Sequence, residues 1–182
     1  MKKIILSQAF YNRSTLKVAQ ELLGCSLVRP IGKKIIRAKI TETEAYVGED
    51  DLACHASKGR TKRTEVMYGE PGRAYVYLIY GMYSLLNIVT EQRDFPAAVL
   101  IRAVEIERVP KNKTNGPGKL CRALQIDRKL NEWDMTEGET LWVEKGEKTS
   151  SEKIVATKRI GIDYAKHCKE YLWRFVLAPY SK

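Results

Sequence analysis

The segment AAVLIRAVE, residues 97–105, constrains the fold most strongly, because an arginine interrupts a strand that is apolar on both faces. Alternate side chains of a β-strand point to opposite faces. The apolar residues fall on both of them, with Ala98, Leu100 and Val104 on one face and Val99, Ile101 and Ala103 on the other. The strand is therefore expected to be covered on both sides. Arg102 then lies on a buried face and needs a carboxylate partner, since breaking a buried ion pair costs roughly 3–5 kcal/mol.

A second strand, KKIIRAKITETEAY at residues 33–46, offers two candidate partners. Its period-two alternation predicts one face made of Ile36, Ala38, Ile40, Glu42, Glu44 and Tyr46. An apolar face that runs into carboxylates can emerge into solvent, and both glutamates are then ordinary surface residues. Alternatively, Glu42 or Glu44 pairs with Arg102, either as a structural ion pair or as part of a site. The spacing leaves these alternatives open.

The segment RAYVYLIYGMYSLLNIVT, residues 73–90, predicts a β-hairpin with a glycine turn. Gly81 allows the chain to turn sharply, which puts Tyr80 at the tip, whereas Tyr75 and Tyr77 share one face of the first strand. Aromatic rings at a strand tip in a basic chain suggest stacking on bases. Hydrophobic packing is the usual role of a tyrosine, and we expect Tyr75 to do only that.

These segments belong to an ordered set of motifs that resembles the alkyladenine DNA glycosylase (3-methyladenine DNA glycosylase) family of base excision repair. The motifs cover most of the chain and are LKVAQELLGCSLVR, TETEAY, ACHAS, YVYLIYGMYSLLNI, LIRAVE and NGPGKLCRAL. The resemblance implies an enzyme that flips a damaged purine out of duplex DNA and hydrolyses its N-glycosidic bond. The purine would be of the 3-methyladenine, 7-methylguanine, hypoxanthine and ethenoadenine class. A monofunctional enzyme that needs no cofactor and leaves an abasic site is implied, although the many lysines do not exclude lyase activity.

The resemblance also implies catalytic roles. Glu44 matches the general base of the family, and Arg102 matches the arginine that helps to hold the attacking water and the carboxylate. Glu42 is the alternative base. An adjacent arginine would favour the ionised form that a general base needs.

Further roles follow for base and DNA binding. Tyr46, His55 and Tyr77 would form the walls of the base pocket, and Asn87 would restrict entry by crowding the exocyclic amine of guanine. For His55, a satisfied loop histidine is the alternative. The residues implied in intercalation and backbone contact are Tyr80 as the wedge, Met82 and Tyr83 beside it, and Lys119 in the first turn of a helix.

The charge of the chain favours a polyanionic partner. There are 32 Lys and Arg against 22 Asp and Glu, a formal net charge of +10, and such an excess supplies sequence-independent affinity for phosphates. An anionic membrane would fit the charge equally, but no long basic amphipathic helix or lipidation signal supports it. A polar loop runs from Val47 to Gly72 and leads to Arg73. It holds most of a basic cluster, whose members are Lys58, Arg60, Lys62, Arg63 and Arg73. These side chains are expected either to contact phosphates or to form a solvated face.

Two other functions remain open. One is a non-catalytic basic nucleic-acid-binding module, and the other is a small-molecule hydrolase or transferase that acts on anionic substrates. The combination of Glu44, Arg102 and the tyrosine hairpin in one span argues against both.

For the fold, we expect an α+β class, because few βαβ units can be found. A single domain over residues 1–182 would hold a curved, mainly antiparallel sheet, flanking helices and a protruding hairpin. Ser14 or Thr15 would cap a helix that runs through Leu23 and ends at Gly24, and a hairpin would follow around Ile31 and Gly32. A short helix would begin near Pro117 and Gly118.

The last third of the chain predicts three more strands, TLWVE, KIVATKRI and YLWRFVL, with a charged turn from Lys145 to Lys153. Trp142, Trp173 and Phe175 are expected in the core.

The cysteines and the start of the chain bear on location. Cys25, Cys54, Cys121 and Cys168 lack CxxC spacing and are expected to be buried free thiols in a reducing compartment. Cys54–His55 and His167–Cys168 lack the usual zinc spacings, so no metal is expected. The start MKKIILSQAFYN has too short an apolar core for a signal peptide, and no membrane span is expected. We expect a cytoplasmic, DNA-associated monomer, nuclear in a eukaryotic cell.

Overall fold

The structure, a computed structural model, describes residues 3–146 and 152–179. The helices are α1 (Gln8–Tyr11), α2 (Thr15–Glu21) and α3 (Pro117–Ala123). The strands are β1 (Ser26–Ile31), β2 (Lys34–Val47), β3 (Ala74–Ile79), β4 (Tyr83–Val89), β5 (Ala97–Ile106), β6 (Trp142–Glu144), β7 (Glu152–Thr157) and β8 (Arg174–Pro179). Short 3₁₀ helices span His55–Lys58, Glu65–Tyr68, Lys111–Lys113, Arg128–Leu130 and Lys166–Glu170. Most of the charged turn expected from Lys145 to Lys153 lies outside the described residues.

The described strands form one antiparallel sheet in the order β3-β4-β5-β2-β1-β6, and β8 joins β2 to β7. This confirms the predicted α+β class with a mainly antiparallel sheet and the hairpin β3–β4. Strand β2 is central because it pairs with β1 along its first half and with β5 and β8 along its second half. The extent of a single domain over residues 1–182 stays a prediction.

Strand β2 does not keep one alternation along its length, so the predicted six-residue face was wrong. Ile40 pairs with Val104 and Glu42 with Ala103, which leaves Thr41 as an extra residue. This bulge reverses the alternation, because one added residue moves every later side chain to the other face. Ile40 lies in the main core, whereas Glu42 and Glu44 both point to Arg102 on the opposite face.

Strand β5 has a matching irregularity at Arg102. Ile101 and Ala103 pair with the successive β2 residues Thr43 and Glu42, so Arg102 is itself an extra residue. Val104 consequently shares the main core with Val99 and Ile101, and the predicted grouping of Val104 with Ala98 and Leu100 was wrong. The two bulges together place charged side chains at the middle of a buried sheet.

Helix α2 begins where expected but is capped from elsewhere in the chain. Ser14 occupies the N-cap position, and its side chain makes no capping hydrogen bond. The Oε1 atom of Glu91 instead accepts hydrogen bonds from the backbone N–H of Thr15 at 2.6 Å and from its hydroxyl at 2.9 Å. The cap prediction for Ser14 and Thr15 was therefore wrong, because a residue 76 positions away satisfies the helix start. The helix ends at Glu21 with Leu22 as its C-cap, two residues before the predicted end at Leu23, and Gly24 lies in the turn that follows at a φ of 86°.

The main core lies between the helices and the sheet. The apolar face of α2 and the residues after it pack there, with Ala19, Leu22 and Leu23 fully buried. Trp142 and Phe175 are buried as expected, whereas Trp173 is only partly buried and lies against the core edge. All four cysteines are buried, and none of them forms a disulfide in the described part of the chain. Among the described residues, no helix has the length and apolar character needed to cross a membrane.

Candidate active site

A cavity of about 760 Å³ opens beside the β3–β4 hairpin. Parts of the chain that are far apart in sequence meet around it: the end of β2, the loop that follows, the start of α3 and the loop between β7 and β8. The cavity-lining side chains used below are those of Tyr46, His55, Arg63, Tyr75, Tyr77, Tyr80, Tyr83, Asn87, Arg102, Lys119, Ile160 and Tyr164.

Glu44 lies directly behind the side chains that line this cavity and is fully buried. Its Oε2 atom accepts a hydrogen bond from the hydroxyl of Tyr46 at 2.7 Å, and its Oε1 atom accepts one from the backbone N–H of Ile160 at 2.8 Å. The Nη1 atom of Arg102 lies 3.5 Å from the same Oε1. Both carboxylate oxygens are thus held by residues that line the cavity, which fixes the orientation of the carboxylate.

Arg102 is only partly buried, and it has two carboxylate partners where one was predicted. Its Nε atom donates to Glu42 at 2.9 Å, in addition to the longer contact with Glu44. Glu42 also accepts a hydrogen bond from Nε of Arg174 at 2.6 Å. Because two guanidinium groups converge on one oxygen of Glu42, its charge is neutralised within this network. Glu44 is held mainly by neutral donors.

The aromatic wall is built by His55, Tyr75 and Tyr77. The His55 and Tyr77 rings are 4.6 Å apart at an interplanar angle of 73°, and Tyr75 lies 5.2 Å from Tyr77. Nδ1 of His55 lies 2.8 Å from the hydroxyl of Tyr75, and Nδ2 of Asn87 donates to the Tyr75 carbonyl at 3.2 Å. The expectation that Tyr75 only packs was wrong, because its hydroxyl holds His55 at the cavity.

Burial and the neighbouring Arg63 lower the pKa of His55 from 6.5 to about 4. The imidazole is therefore neutral near pH 7. Nη2 of Arg63 lies 3.5 Å from Nε2 of His55, and a guanidinium can only donate. This contact favours the tautomer in which Nδ1 carries the proton and donates to the Tyr75 hydroxyl.

The lowered pKa of His55 predicts a specific dependence of stability on pH. As the pH falls from 6.5 towards 4, the unfolded chain binds a proton at His55 before the folded chain does. The stability associated with neutral His55 is therefore present above pH 6.5 and is lost across this window. In urea unfolding at pH 7 and pH 5, we expect wild type to lose more free energy of unfolding than His55→Gln.

Wild type and His55→Gln share every other titrating group, so the difference between their losses of stability reports the contribution of His55 alone. An equal loss of stability in wild type and His55→Gln between the two pH values would contradict the assignment.

The tip of the hairpin presents aromatic and apolar side chains to solvent. Tyr80 is 84% exposed and has a φ of 52°, followed by Gly81 at 70°. Met82 is exposed as well, and Tyr83 is partly exposed beneath the guanidinium of Arg122. The turn conformation therefore holds the Tyr80 ring away from the body of the protein, next to the mouth of the cavity.

The start of α3 approaches the hairpin closely. A Cβ on Gly118 would lie 3.2 Å from the Cβ of Tyr83, so only glycine lets the helix reach this position without displacing its neighbour. The side chain of Lys119 is exposed at the cavity mouth and donates to Oδ1 of Asn115 at 2.9 Å. The ammonium group is accessible from solvent.

The basic cluster predicted in the long loop does not gather into one patch. Arg60 forms ion pairs with Glu65 and Asp94, and Arg73 forms one with Asp134. Arg63 instead turns to the cavity, where its guanidinium lies 5.2 Å from the centroid of the Tyr77 ring. Two short 3₁₀ helices order this loop, which the sequence did not indicate.

Three site residues were missed by the sequence analysis because they lie in the loop between β7 and β8. The predicted strand KIVATKRI ends at Thr157 in the structure, so Arg159 and Ile160 leave the sheet and turn into the site. Tyr164 lines the cavity further along the loop. Gly161, which follows the charged pair Lys158–Arg159 and has a φ of 76°, is the signal that would have marked this turn.

The fold and the site together define a class of protein. A fixed carboxylate beside an arginine lies behind an aromatic cavity that accepts a flat ring, and an exposed tyrosine projects next to its mouth. Within residues 3–146 and 152–179, no group of three or more His, Cys, Asp or Glu side chains is arranged to hold a metal ion. This arrangement is typical of an enzyme that binds a planar ring and places a carboxylate beside it.

Comparison with known proteins identifies the family. Residues 9–181 match the methylpurine-DNA glycosylase family. A protein of Methanocella arvoryzae is 50% identical over 94% of this chain and 91% of its own length. Proteins of Ehrlichia chaffeensis and Legionella pneumophila are each 47% identical, covering 97% and 94% of this chain and 95% and 93% of their own lengths. All three carry the name "Putative 3-methyladenine DNA glycosylase".

The chain belongs to the methylpurine-DNA glycosylase family and is therefore a DNA glycosylase, an enzyme of base excision repair. This confirms the family that the sequence motifs indicated.

Proposed function

We propose that this glycosylase excises damaged purines of the 3-methyladenine, 7-methylguanine, hypoxanthine and ethenoadenine class from duplex DNA, and that Glu44 activates the hydrolytic water. The observation that carries the proposal is the position of Glu44, which is held by Tyr46, Ile160 and Arg102 directly behind the aromatic cavity. The name shared by the relatives supports 3-methyladenine among these bases. The enzyme acts as a monomer in the DNA-containing compartment, without cofactor, and leaves an abasic site.

Access to the reacting atom requires base flipping. C1′ of the deoxyribose is inaccessible in a stacked duplex, so the nucleotide rotates into the cavity at a cost of roughly a few kcal/mol. Tyr80, exposed on a tight turn beside the cavity mouth, fills the vacated space in the stack, with Met82 and Tyr83 against the strand. Lys119 at the mouth contacts a backbone phosphate.

The flipped purine stacks between the aromatic side chains of the cavity. Tyr46, His55 and Tyr77 supply the faces for stacking and for cation–π attraction to alkylated bases. Asn87 is buried at the cavity wall with its amide group donating to the Tyr75 carbonyl, so its Oδ1 crowds the exocyclic amine of guanine. Neutral His55 offers a hydrogen bond to the base edge at Nε2, which accepts it in place of the long 3.5 Å contact with Arg63.

The chemical step is hydrolysis through an oxocarbenium-like transition state. The bond between C1′ and the purine nitrogen breaks, and its electron pair leaves with the base. The oxygen of water forms the new bond to C1′ while Glu44 accepts a proton from it, and Arg102 holds the carboxylate and the water in position. No enzyme amine takes part, which leaves the strand intact at the abasic site.

Arg63 is expected to bias the choice among these bases. A base stacked on Tyr77 meets the guanidinium that lies over the same ring, and a cationic base is repelled by about 1 kcal/mol at this exposed position. We therefore expect Arg63→Gln to raise the ratio of single-turnover rates for 7-methylguanine over hypoxanthine about fivefold. Both lesions are measured in the same duplex sequence, so that lost phosphate contacts cancel in the ratio.

The neighbouring exposed lysine serves as the control for this ratio. Lys62→Gln removes one charge from the same loop and is expected to leave the ratio unchanged. If Arg63→Gln lowers both rates by the same factor, Arg63 acts on DNA binding alone and not on the choice of base.

The proposed function is tested with short duplexes that carry one hypoxanthine or one ethenoadenine. After incubation with the protein, alkali converts abasic sites into strand breaks. We expect breaks only after alkali treatment. Breaks before alkali would indicate lyase chemistry through an amine, and binding without cleavage of any lesion, alkylated DNA included, would favour a non-catalytic DNA-binding module.

A further inference from the structure

Arg159 carries a buried charge next to the site, and none of the roles above uses it. Its side chain and that of Asp51 are almost wholly inaccessible. Two guanidinium nitrogens of Arg159 donate to the two carboxylate oxygens of Asp51 at 2.6 and 2.8 Å. The same nitrogens also donate to the carbonyls of Ala45 at 2.9 Å and Cys168 at 3.2 Å.

The contacts of Arg159 converge on the residues that hold Glu44. Ala45, whose carbonyl it binds, lies between Glu44 and Tyr46 in β2. The guanidinium carbon of Arg159 is 4.8 Å from the centroid of the Tyr46 ring, and this tyrosine donates to Oε2 of Glu44. The residue after Arg159 is Ile160, whose N–H donates to Oε1 of Glu44.

Asp51 links the same guanidinium to the aromatic wall. Its carboxylate accepts hydrogen bonds from the backbone N–H groups of Val47 at 3.3 Å and Ala53 at 3.1 Å. Val47 ends β2, and Ala53 lies two residues before His55. One buried ion pair thus joins the end of β2, the loop that carries His55 and the loop that carries Ile160.

Stability alone does not account for this pair. A buried ion pair is often replaced by apolar residues without loss of stability, because desolvation offsets the attraction. Within the described part of the chain, the buried Nε of Arg159 has no hydrogen-bond partner, which adds a cost. What the guanidinium provides is a rigid planar fork that fixes three chain segments relative to one another.

We propose that Arg159, oriented by Asp51, is a positioning residue for the hydrolysis. It aims the Tyr46 hydroxyl at one oxygen of Glu44 and the Ile160 N–H at the other, so that the carboxylate meets the attacking water in one orientation. The inference rests on the proposed role of Glu44. Loss of this alignment slows bond cleavage while leaving the hairpin and the exposed cations that bind duplex DNA in place.

Removal of both charges together tests the proposal, because it avoids leaving one buried ion unpaired. In the double variant Asp51→Asn with Arg159→Met, we expect the single-turnover rate on a hypoxanthine duplex at saturating enzyme to fall about 10- to 100-fold. The dissociation constant for the same duplex is expected to stay within about threefold of wild type. Arg159→Lys, which keeps the charge but loses the fork, is expected to retain more of the rate than the double variant.

A remote ion pair provides the matched control. Arg37 and the buried Glu144 pair at 3.0 Å on β2 and β6, away from the cavity lining. The double variant Arg37→Met with Glu144→Gln is expected to keep the wild-type rate. Its thermal unfolding midpoint is expected to be comparable to that of the Asp51→Asn with Arg159→Met variant. An equal fall in rate in this control would overturn the proposal, as would a folded Asp51→Asn with Arg159→Met variant that cleaves at the wild-type rate.

Glu44→Gln, assayed in parallel, separates this inference from the proposed function. If Glu44→Gln is inactive and the Arg159 variants cleave normally, the positioning role fails alone. If Glu44→Gln cleaves like wild type, the proposed base fails and the positioning role fails with it.

Discussion

Glu44→Gln is expected to lower the rate of base excision by roughly 10²- to 10⁴-fold, the usual contribution of a general base, while the protein still binds duplex DNA. The substitution is nearly isosteric, and the amide oxygen can still accept a hydrogen bond from Tyr46 or from the Ile160 N–H. What it removes is the capacity to take a proton from water. Single-turnover cleavage of a hypoxanthine duplex and a binding titration with the same duplex separate the two effects.

Two other glutamates sharpen this test. Glu144→Gln changes a buried glutamate that is also paired with an arginine, but on β6, and is expected to cleave normally. Glu42→Gln is expected to lose less than Glu44→Gln, because two arginines already hold the Glu42 carboxylate. A larger loss at Glu42 than at Glu44 would reassign the general base.

Tyr80→Ala is expected to reduce the equilibrium constant for base flipping by about 5- to 150-fold, since base–aromatic stacking contributes roughly 1–3 kcal/mol by alanine substitution. The ring is 84% exposed and belongs to no core cluster of the described residues, so its removal is expected to leave the stability of the fold unchanged. Fluorescence of ethenoadenine in a duplex reports the flipped fraction directly, and the excision rate at subsaturating enzyme is expected to fall in parallel.

Another exposed aromatic residue serves as the control for Tyr80. Phe95 lies in the turn between β4 and β5, at the other end of β4 from the hairpin tip, and does not line the cavity. Phe95→Ala is expected to leave flipping and excision unchanged. If Tyr80→Ala flips ethenoadenine as well as wild type does, the wedge role is wrong, and Met82 or Tyr83 becomes the next candidate.

Local patterns in the sequence predicted much of this architecture. Alternation and turn residues indicated the hairpin with Tyr80 and Gly81 at its tip, and the apolar run around Arg102 indicated a covered strand with a carboxylate partner nearby. These features depend on neighbours a few residues away, which the sequence displays directly. Motif resemblance added the family and the candidate roles of Glu44, His55 and Asn87.

Other features depend on contacts between distant segments, and the sequence did not reveal them. The bulge at Thr41 keeps both Ile40 and Ala45 on the core face although they are five residues apart, and it turns Glu42 and Glu44 to the other face. Glu91 caps a helix that begins 76 residues earlier. The alternation of side chains along one strand does not show a bulge, because the extra residue is defined only by how that strand pairs with its neighbour.

The sequence by itself therefore determined the class of fold, the hairpin and the chemical types available for a site, because propensity and alternation are local properties of the chain. Only the tertiary structure decided that Glu44 is held by Tyr46, Arg102 and Ile160, and that the Arg159–Asp51 pair joins the segments that hold it. The physical reason is burial. A buried charge is stable only where partners from several distant segments converge on it, and that convergence exists only in the folded chain.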